Sequence, residues 1–257
     1  MVGDTNIRPP DTVKHLSRHD DISVEQAAQL LDPLDKQNVP KAIALIQCLH
    51  NLQDLALPPN PTDAKMQKAI AFFAKFLSLF LFPFIKTEMS LSQQMCSLST
   101  YGFQAAALQL KHGTGCMTGP LYTESQSVVK NTVFTTVRLQ LLDLEDLKMK
   151  FYIILEGTDR LEVVFSDCRT QDHAKNFDIA QLATKLATAT LINAAFQRNP
   201  ELDRGHRQSS LTGALGIDHV NPKSWKGDTC VKNVDIQKEW DAGMLAANKI
   251  LIQYFGP

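Results

Sequence analysis

AIAFFAKFLSLFLFPFI (residues 69 to 85) is the stretch whose reading decides the fold. With Met66 ahead of it, Ile70, Phe73, Leu77, Phe80 and Phe84 recur at alternating steps of four and three, the repeat that lines side chains along one face of an α-helix. A membrane-spanning helix needs about 20 apolar residues. This run falls short, carries Lys75 and Ser78 and meets Pro83 near its end, so it is expected to be the central, buried helix of a core.

Working outward, the proline-rich LALPPNPTD (residues 55 to 63) breaks the chain ahead of that helix. Ser23 with Gln26, Ser90 with Gln93 and Thr123 with Gln126 have capping-box spacing, in which a side-chain oxygen and an amide three residues on satisfy each other's backbone N–H groups. These predict helices near 24 to 31, 91 to 111 and 124 to 142. Pro40, ahead of Ala42, Ile43, Leu45, Ile46 and Leu49, predicts another near 40 to 53.

From Met149 the pattern changes. Phe151, Tyr152, Ile153, Ile154 and Leu155 are consecutive and rich in aromatic and β-branched types, as in a buried strand that Gly157 closes. Helices are expected near 160 to 168, 178 to 198 and 234 to 254, the second with Ile179, Leu182, Ala183, Leu186, Ala189 and Ile192 as its apolar stripe. The fold class expected is mainly α, a helical domain with a small α+β portion. Its expected divisions are an N-terminal tail (1 to 24), a helical domain (25 to 145), a strand–helix fragment (146 to 200), and an irregular loop with a C-terminal helix (201 to 257).

The chain has 26 Lys plus Arg against 27 Asp plus Glu, so its net charge of -1 offers no global attraction to nucleic acid or to an anionic membrane. Any nucleic-acid contact must be a local patch. The five cysteines are far apart, with no C-x-x-C pair, which argues against a zinc site or a disulfide framework. The opening MVGDTNIRPPDT has neither a basic n-region nor an apolar h-region, so nucleus or cytoplasm is the expected location and no membrane partner is expected.

Three groups of residues could carry chemistry. In GTDRLEVVFSDCR (residues 157 to 169), Asp159 and Glu162 stand three apart where strand hands over to helix, a place where paired carboxylates can hold Mg2+. The same spacing is that of N-cap and N3, so Asp159 can equally cap the helix while Glu162 favours its positive end. DHVNPKSWKGDTCVKN (residues 218 to 233) looks like the start of an HNH nuclease motif: His219 would activate water, Asp218 help hold one metal and Asn233 orient the histidine. That reading expects a β-hairpin over 214 to 240; the competing one is a turn-rich loop with local Asx bonds from Asp218 and Asn221. Finally, Arg204, Arg207, Lys223 and Lys226 with Trp225 beside them supply phosphate contacts and a stacking face, although Asp203, Asp218 and Asp228 dilute their charge.

Taken together, DPLDKQNVPKAIALI (32 to 46), LYTESQSVVKNTVFTTVRLQ (121 to 140), FYIILEGTDRLEVVFSDCRTQ (151 to 171) and HVNPKSWKGD (219 to 228) resemble a group of uncharacterised, transposon-associated proteins of mushroom-forming (basidiomycete) fungi, over most of residues 25 to 240. More distantly, GTDRLEVVFSDCR is similar to the D-x-x-E-x-x-F-x-x-x-R block of P-element-type DDE transposases, whose RNase H-like domain is split by a helical insertion. That likeness implies that Glu162 matches the family's last catalytic, metal-binding acid and Asp159 the Asp three before it. The helices of residues 40 to 142 would be the insertion, and the strand at 151 to 155 the return into an RNase H-like fragment. The family's first two acids belong upstream of the insertion, where this chain has only a short polar segment, and Thr170 and Gln171 stand where a glycine pair often follows the arginine.

The resemblance therefore implies a truncated or inactive C-terminal part of a DDE transposase, not an enzyme on its own, with DNA or a full-length transposase as partners. No cofactor is firmly implied; Mg2+ is the ion expected if any activity remains. The alternatives are a small HNH-like metal-dependent nuclease and a helical interaction module without catalysis.

Overall fold

Residues 2–19, 21–32, 34, 39–142, 148–157, 165, 167–169, 171, 176–199 and 221–256 are described by the structure, a computed structural model. The described part is mainly helical: α1 (Pro9–Leu16), α2 (Val24–Leu30), α3 (Val39–Asn51), α4 (Pro61–Ile85), α5 (Leu91–His112), α6 (Gly119–Leu142), α7 (Ile179–Arg198) and α8 (Ile236–Phe255). The chain divides into two compact units, Met1–Ile154 with Leu211–Pro257, and Leu155–Ser210. This differs from the expected division: α1, in the expected tail, and α8, expected to stand with an irregular loop, both belong to the first unit.

α4 starts where Asn60 Oδ1 accepts from the N–H groups of Thr62 (2.8 Å) and Asp63 (3.4 Å), with Pro61 in the first turn, where no N–H is missed. It is long and apolar enough to cross a membrane. In the structure it packs on α3 and α5 and buries Phe72 and Phe76 completely. The expected stripe is half right: Ile70 is buried, while Phe73, Leu77, Phe80 and Phe84 pack half-buried around the core.

The central helix is α5, not α4. The Ser90–Gln93 capping box forms as expected, and α4, α6 and α8 all pack on α5, which buries residues on every side, from Leu91, Met95 and Leu98 to Gln94, Ser99 and Gln104. Periodicity in the sequence could not reveal this, because a helix buried all round shows no single apolar stripe. Tyr101 stacks on Phe76 (ring centroids 4.7 Å apart) and meets Phe80 (4.8 Å), while Phe72 meets Tyr254 and Phe255 of α8 (4.8 and 5.0 Å). α8 lies close on α5 because Gly243 has no side chain: a Cβ there would stand 2.5 Å from Ser99 Cβ and 2.8 Å from the Cys96 carbonyl.

A second cluster joins Leu16, Ala27, Leu49, Leu52, Ile70 and Ala74, from α1 to α4. Gln67, buried in α4, donates to the carbonyls of Leu52 and Leu55 (3.2 Å each) and accepts from Arg18, which also donates to the Ala56 carbonyl at 2.8 Å. These bonds satisfy the backbone of the proline-rich break.

One expected boundary moves and one expected element is absent. The Ser23–Gln26 box forms, but Thr123 lies inside α6, which starts earlier and whose Leu121 N–H reaches the Thr118 hydroxyl at 3.4 Å. The strand expected at 151 to 155 is absent: Ile153–Glu156 closes into a 3-10 turn, and no strand occurs among the described residues. The physical reason is the partner. Lys150 forms one antiparallel bridge with Cys230, but Gly227, the next residue whose backbone would face the run, has its N–H bonded to the Thr87 carbonyl at 2.9 Å. A run without a continuing partner cannot extend a ladder, whatever its composition.

In the unit Leu155–Ser210, residues 167 to 169 are helical and Cys168 is buried. α7 starts with a capping box between Asp178 and Gln181. Its expected apolar stripe is largely outward: Ile179 is 86% exposed, and the buried positions are Ala189 and Lys185, whose Nζ donates to the Cys168 carbonyl at 3.0 Å.

Candidate nucleic-acid interface

Asp159 and Glu162, the expected catalytic and metal-binding acids, lie outside the described residues, as do Asp218, His219, Arg204 and Arg207. Asn233, Lys223, Trp225 and Lys226 are described and lie in one segment, 221 to 235, held against the turn between α4 and α5.

That segment is fixed by backbone. The N–H groups of Lys226 and Gly227 both donate to the Thr87 carbonyl at 2.9 Å. A Cβ on Gly227 would stand 2.2 Å from the Met89 carbonyl oxygen, so only glycine permits this approach. Gln140 of α6 donates to the carbonyls of Val231 (2.7 Å) and Val234 (2.8 Å). The first turn, Pro222–Ser224, is capped by Asn221, whose Oδ1 accepts from Lys223 N–H at 3.0 Å, the local Asx bond that the turn-rich reading expects.

The hairpin that the nuclease reading expects is not formed by the described residues of 214 to 240. They make 3-10 turns at Pro222–Ser224 and Val231–Asn233 and then enter α8. Asn233 serves the turn: its amide donates to Asp228 Oδ2 at 2.7 Å, while Asp228 Oδ1 accepts from Cys230 N–H at 2.9 Å. The Cys230 N–H, then the Asn233 amide, with a smaller contribution from Lys150, hold the Asp228 carboxyl below the usual carboxylate range.

Lys223 and Lys226 are exposed and Trp225 is half-buried. Lys226 Nζ lies 3.7 Å from Glu88 Oε1 with both side chains largely in water, a pair that contributes little and leaves the ammonium open to a stronger anion. The Trp225 ring meets Tyr152 edge-on, centroids 6.4 Å apart. Tyr152 is the residue that the sequence reading placed in a buried strand and that the structure brings to the lysines. The alternation in MKFY (residues 149 to 152) was the available signal, since it puts Lys150 and Tyr152 on one side.

Among the described residues no three His, Cys, Asp or Glu side chains gather as a metal site would require. His15 and His50 are set inside the helical unit, and burial lowers the pKa of each. Comparison with protein-family models, curated proteins and solved structures gives no match.

Proposed function

We propose that this chain is a transposase-derived, non-catalytic protein that binds nucleic acid through Lys223, Trp225 and Lys226. The observation that carries this reading is the bonding of the Lys226 and Gly227 N–H groups to the Thr87 carbonyl together with the ring contact between Trp225 and Tyr152, which set Trp225 and Lys226 in one fixed turn that follows the exposed Lys223. A preorganised cation–aromatic surface binds phosphate and bases without first ordering a loop. With a net charge of -1, such a local patch is also the form that nucleic-acid attraction must take here.

The transposase descent, an RNase H-like fragment with Asp159 and Glu162 as relics of a metal-binding set, and a full-length transposase as second partner belong to the same proposal. They rest on the resemblance across residues 25 to 240. Of the residues of the nuclease reading only Asn233 is described, and its amide is bonded to Asp228.

The test is fluorescence anisotropy of a labelled oligonucleotide. Binding is expected that weakens by at least tenfold between about 50 and 200 mM salt, as phosphate contacts require, and that Lys223→Gln with Lys226→Gln reduces. No binding at low salt overturns the proposal. A Mg2+ or Mn2+ nicking assay is expected to show no cleavage; cleavage lost in His219→Ala would replace this reading with the nuclease.

A further inference from the structure

The bridge between Lys150 and Cys230 joins two segments distant in sequence into a short antiparallel ribbon. Phe151 N–H donates to the Thr229 carbonyl and Val231 N–H to the Met149 carbonyl, each at 2.9 Å, so alternate residues face opposite sides. Burial follows that alternation. Phe151, Thr229 and Val231 are buried and Met149 packs on the core, whereas Lys148, Lys150, Asp228 and Lys232 are exposed. The outer row of the first segment is therefore Lys150 and Tyr152, with Lys148, whose φ of 53° takes it out of the extended run, exposed at its start, and Tyr152 continues the row to Trp225 and its flanking lysines. Of the carboxylates beside these lysines, Glu88 stands 3.7 Å from Lys226 Nζ, and Asp228 accepts from the Cys230 N–H and the Asn233 amide.

We infer that this face is a docking surface for a single-stranded polynucleotide, in which Lys148, Lys150, Lys223 and Lys226 contact phosphates and Tyr152 and Trp225 stack on bases. The inference rests on the nucleic-acid reading above and extends it to a second chain segment and to the state of the partner. Charge complementarity names a polyanion, and the adjoining aromatic rings select among polyanions. Bases within a duplex are stacked on one another and cannot offer their faces to a side chain, whereas those of a single strand can. Four lysines without the rings would hold duplex or single strand alike.

The experiment measures binding of the full chain to thymine-only DNA, uracil-only RNA, a DNA duplex and phosphatidylserine vesicles. Both single strands are expected to bind more tightly than the duplex, and the vesicles weakly. Lys148→Gln with Lys150→Gln is expected to weaken single-strand binding about tenfold and to reduce the slope of log K against log salt by about 1.4, some 0.7 per phosphate contact. Tyr152→Leu keeps apolar volume but removes the ring, and is expected to weaken single-strand binding about tenfold while leaving duplex binding unchanged. Trp225→Phe, which retains a ring, is expected to bind better than Trp225→Leu at equal thermal stability, which separates stacking from packing. Lys68→Gln, near the other end of α4, is expected to change nothing.

If the ribbon variants bind as the wild type does while Lys223→Gln with Lys226→Gln loses binding, this inference fails and the nucleic-acid reading stands. Preference for the duplex or the vesicles also overturns the inference. If the wild type binds no polynucleotide, both fail.

Discussion

The core between α4, α5 and α8 and the segment 221 to 235 are held by different physics. In the core the stabilising contacts are apolar and aromatic: Phe72 and Phe76 are fully buried, and Tyr101 lies on two phenylalanine rings. Such burial is non-directional, contributes about 25 cal/mol per Å2 of apolar surface removed from water, and tolerates small adjustments. The segment 221 to 235 adds Val231 and Val234 to that core, but the turn that carries its exposed lysines is positioned by directional bonds to single atoms, among them the Thr87 carbonyl and the Asp228 carboxylate. The first arrangement makes the chain fold. The second sets where exposed lysines and rings stand, and its individual bonds can be lost without unfolding the helices.

The largest expected effect lies in the core. Phe76→Ala is expected to lower unfolding stability by about 3–5 kcal/mol, the range for removing a fully buried phenylalanine, seen as a lower urea midpoint. A loss below about 1 kcal/mol would break the comparison, since Phe76 would then contribute no more than a surface bond. Gly243→Ala comes next. Alanine improves helix propensity by up to about 1 kcal/mol, but its Cβ meets Ser99 Cβ at 2.5 Å and the Cys96 carbonyl at 2.8 Å. Overpacking of this kind costs about 1–3 kcal/mol, so a net loss is expected in thermal melts.

The two regions also differ in how much the sequence discloses. The helices are legible because their causes are local: Ser23 and Ser90 with their glutamine partners mark two helix starts, and Asn60–Pro61 marks a third. The 3-10 turn at Ile153–Glu156 was not legible, because Phe151 to Leu155 have strand composition and the distant commitment of Gly227 to Thr87 deprives them of a partner. α1 was also missed, although Pro9 and Pro10 in its first turn and Val13 and Leu16 three apart were available signals. For the candidate site, the sequence reading grouped Lys223, Trp225 and Lys226 with Arg204 and Arg207, which lie outside the described residues, and it did not foresee the contact of Tyr152 with Trp225. Position 150 meets position 230 through long-range pairing that no local pattern encodes.

Gln104 sharpens the comparison from within the core. It is fully buried in α5, and neither its amide nitrogen nor its oxygen has a hydrogen-bond partner among the described residues. A buried amide in that condition costs about 1–3 kcal/mol by protein measurements. Gln104→Leu, similar in volume and without polar atoms, is expected to raise the denaturant midpoint by the equivalent of about 1–2 kcal/mol. A fall in stability would mean that this part of the core depends on a directional bond, and the contrast with the segment 221 to 235 would narrow.

The smallest effect belongs to the segment itself. Asp228→Ala removes the acceptor for the Cys230 N–H and the Asn233 amide, both in an exposed setting, so the expected loss is no more than about 1 kcal/mol at neutral pH. Its pH dependence gives it a signature. The folded carboxyl is held below the ordinary range, first by the Cys230 N–H and then by the Asn233 amide, so folding favours the ionised form. That contribution is complete above the unfolded-state value of about 3.9 and is lost as pH falls through the lower folded value. Wild type and Asp228→Ala are therefore expected to differ at pH 7 and to converge below about pH 4 in urea titrations. A difference in stability that persists unchanged into acid would assign the effect to packing and remove Asp228 from the set of directional bonds that distinguishes this segment from the core.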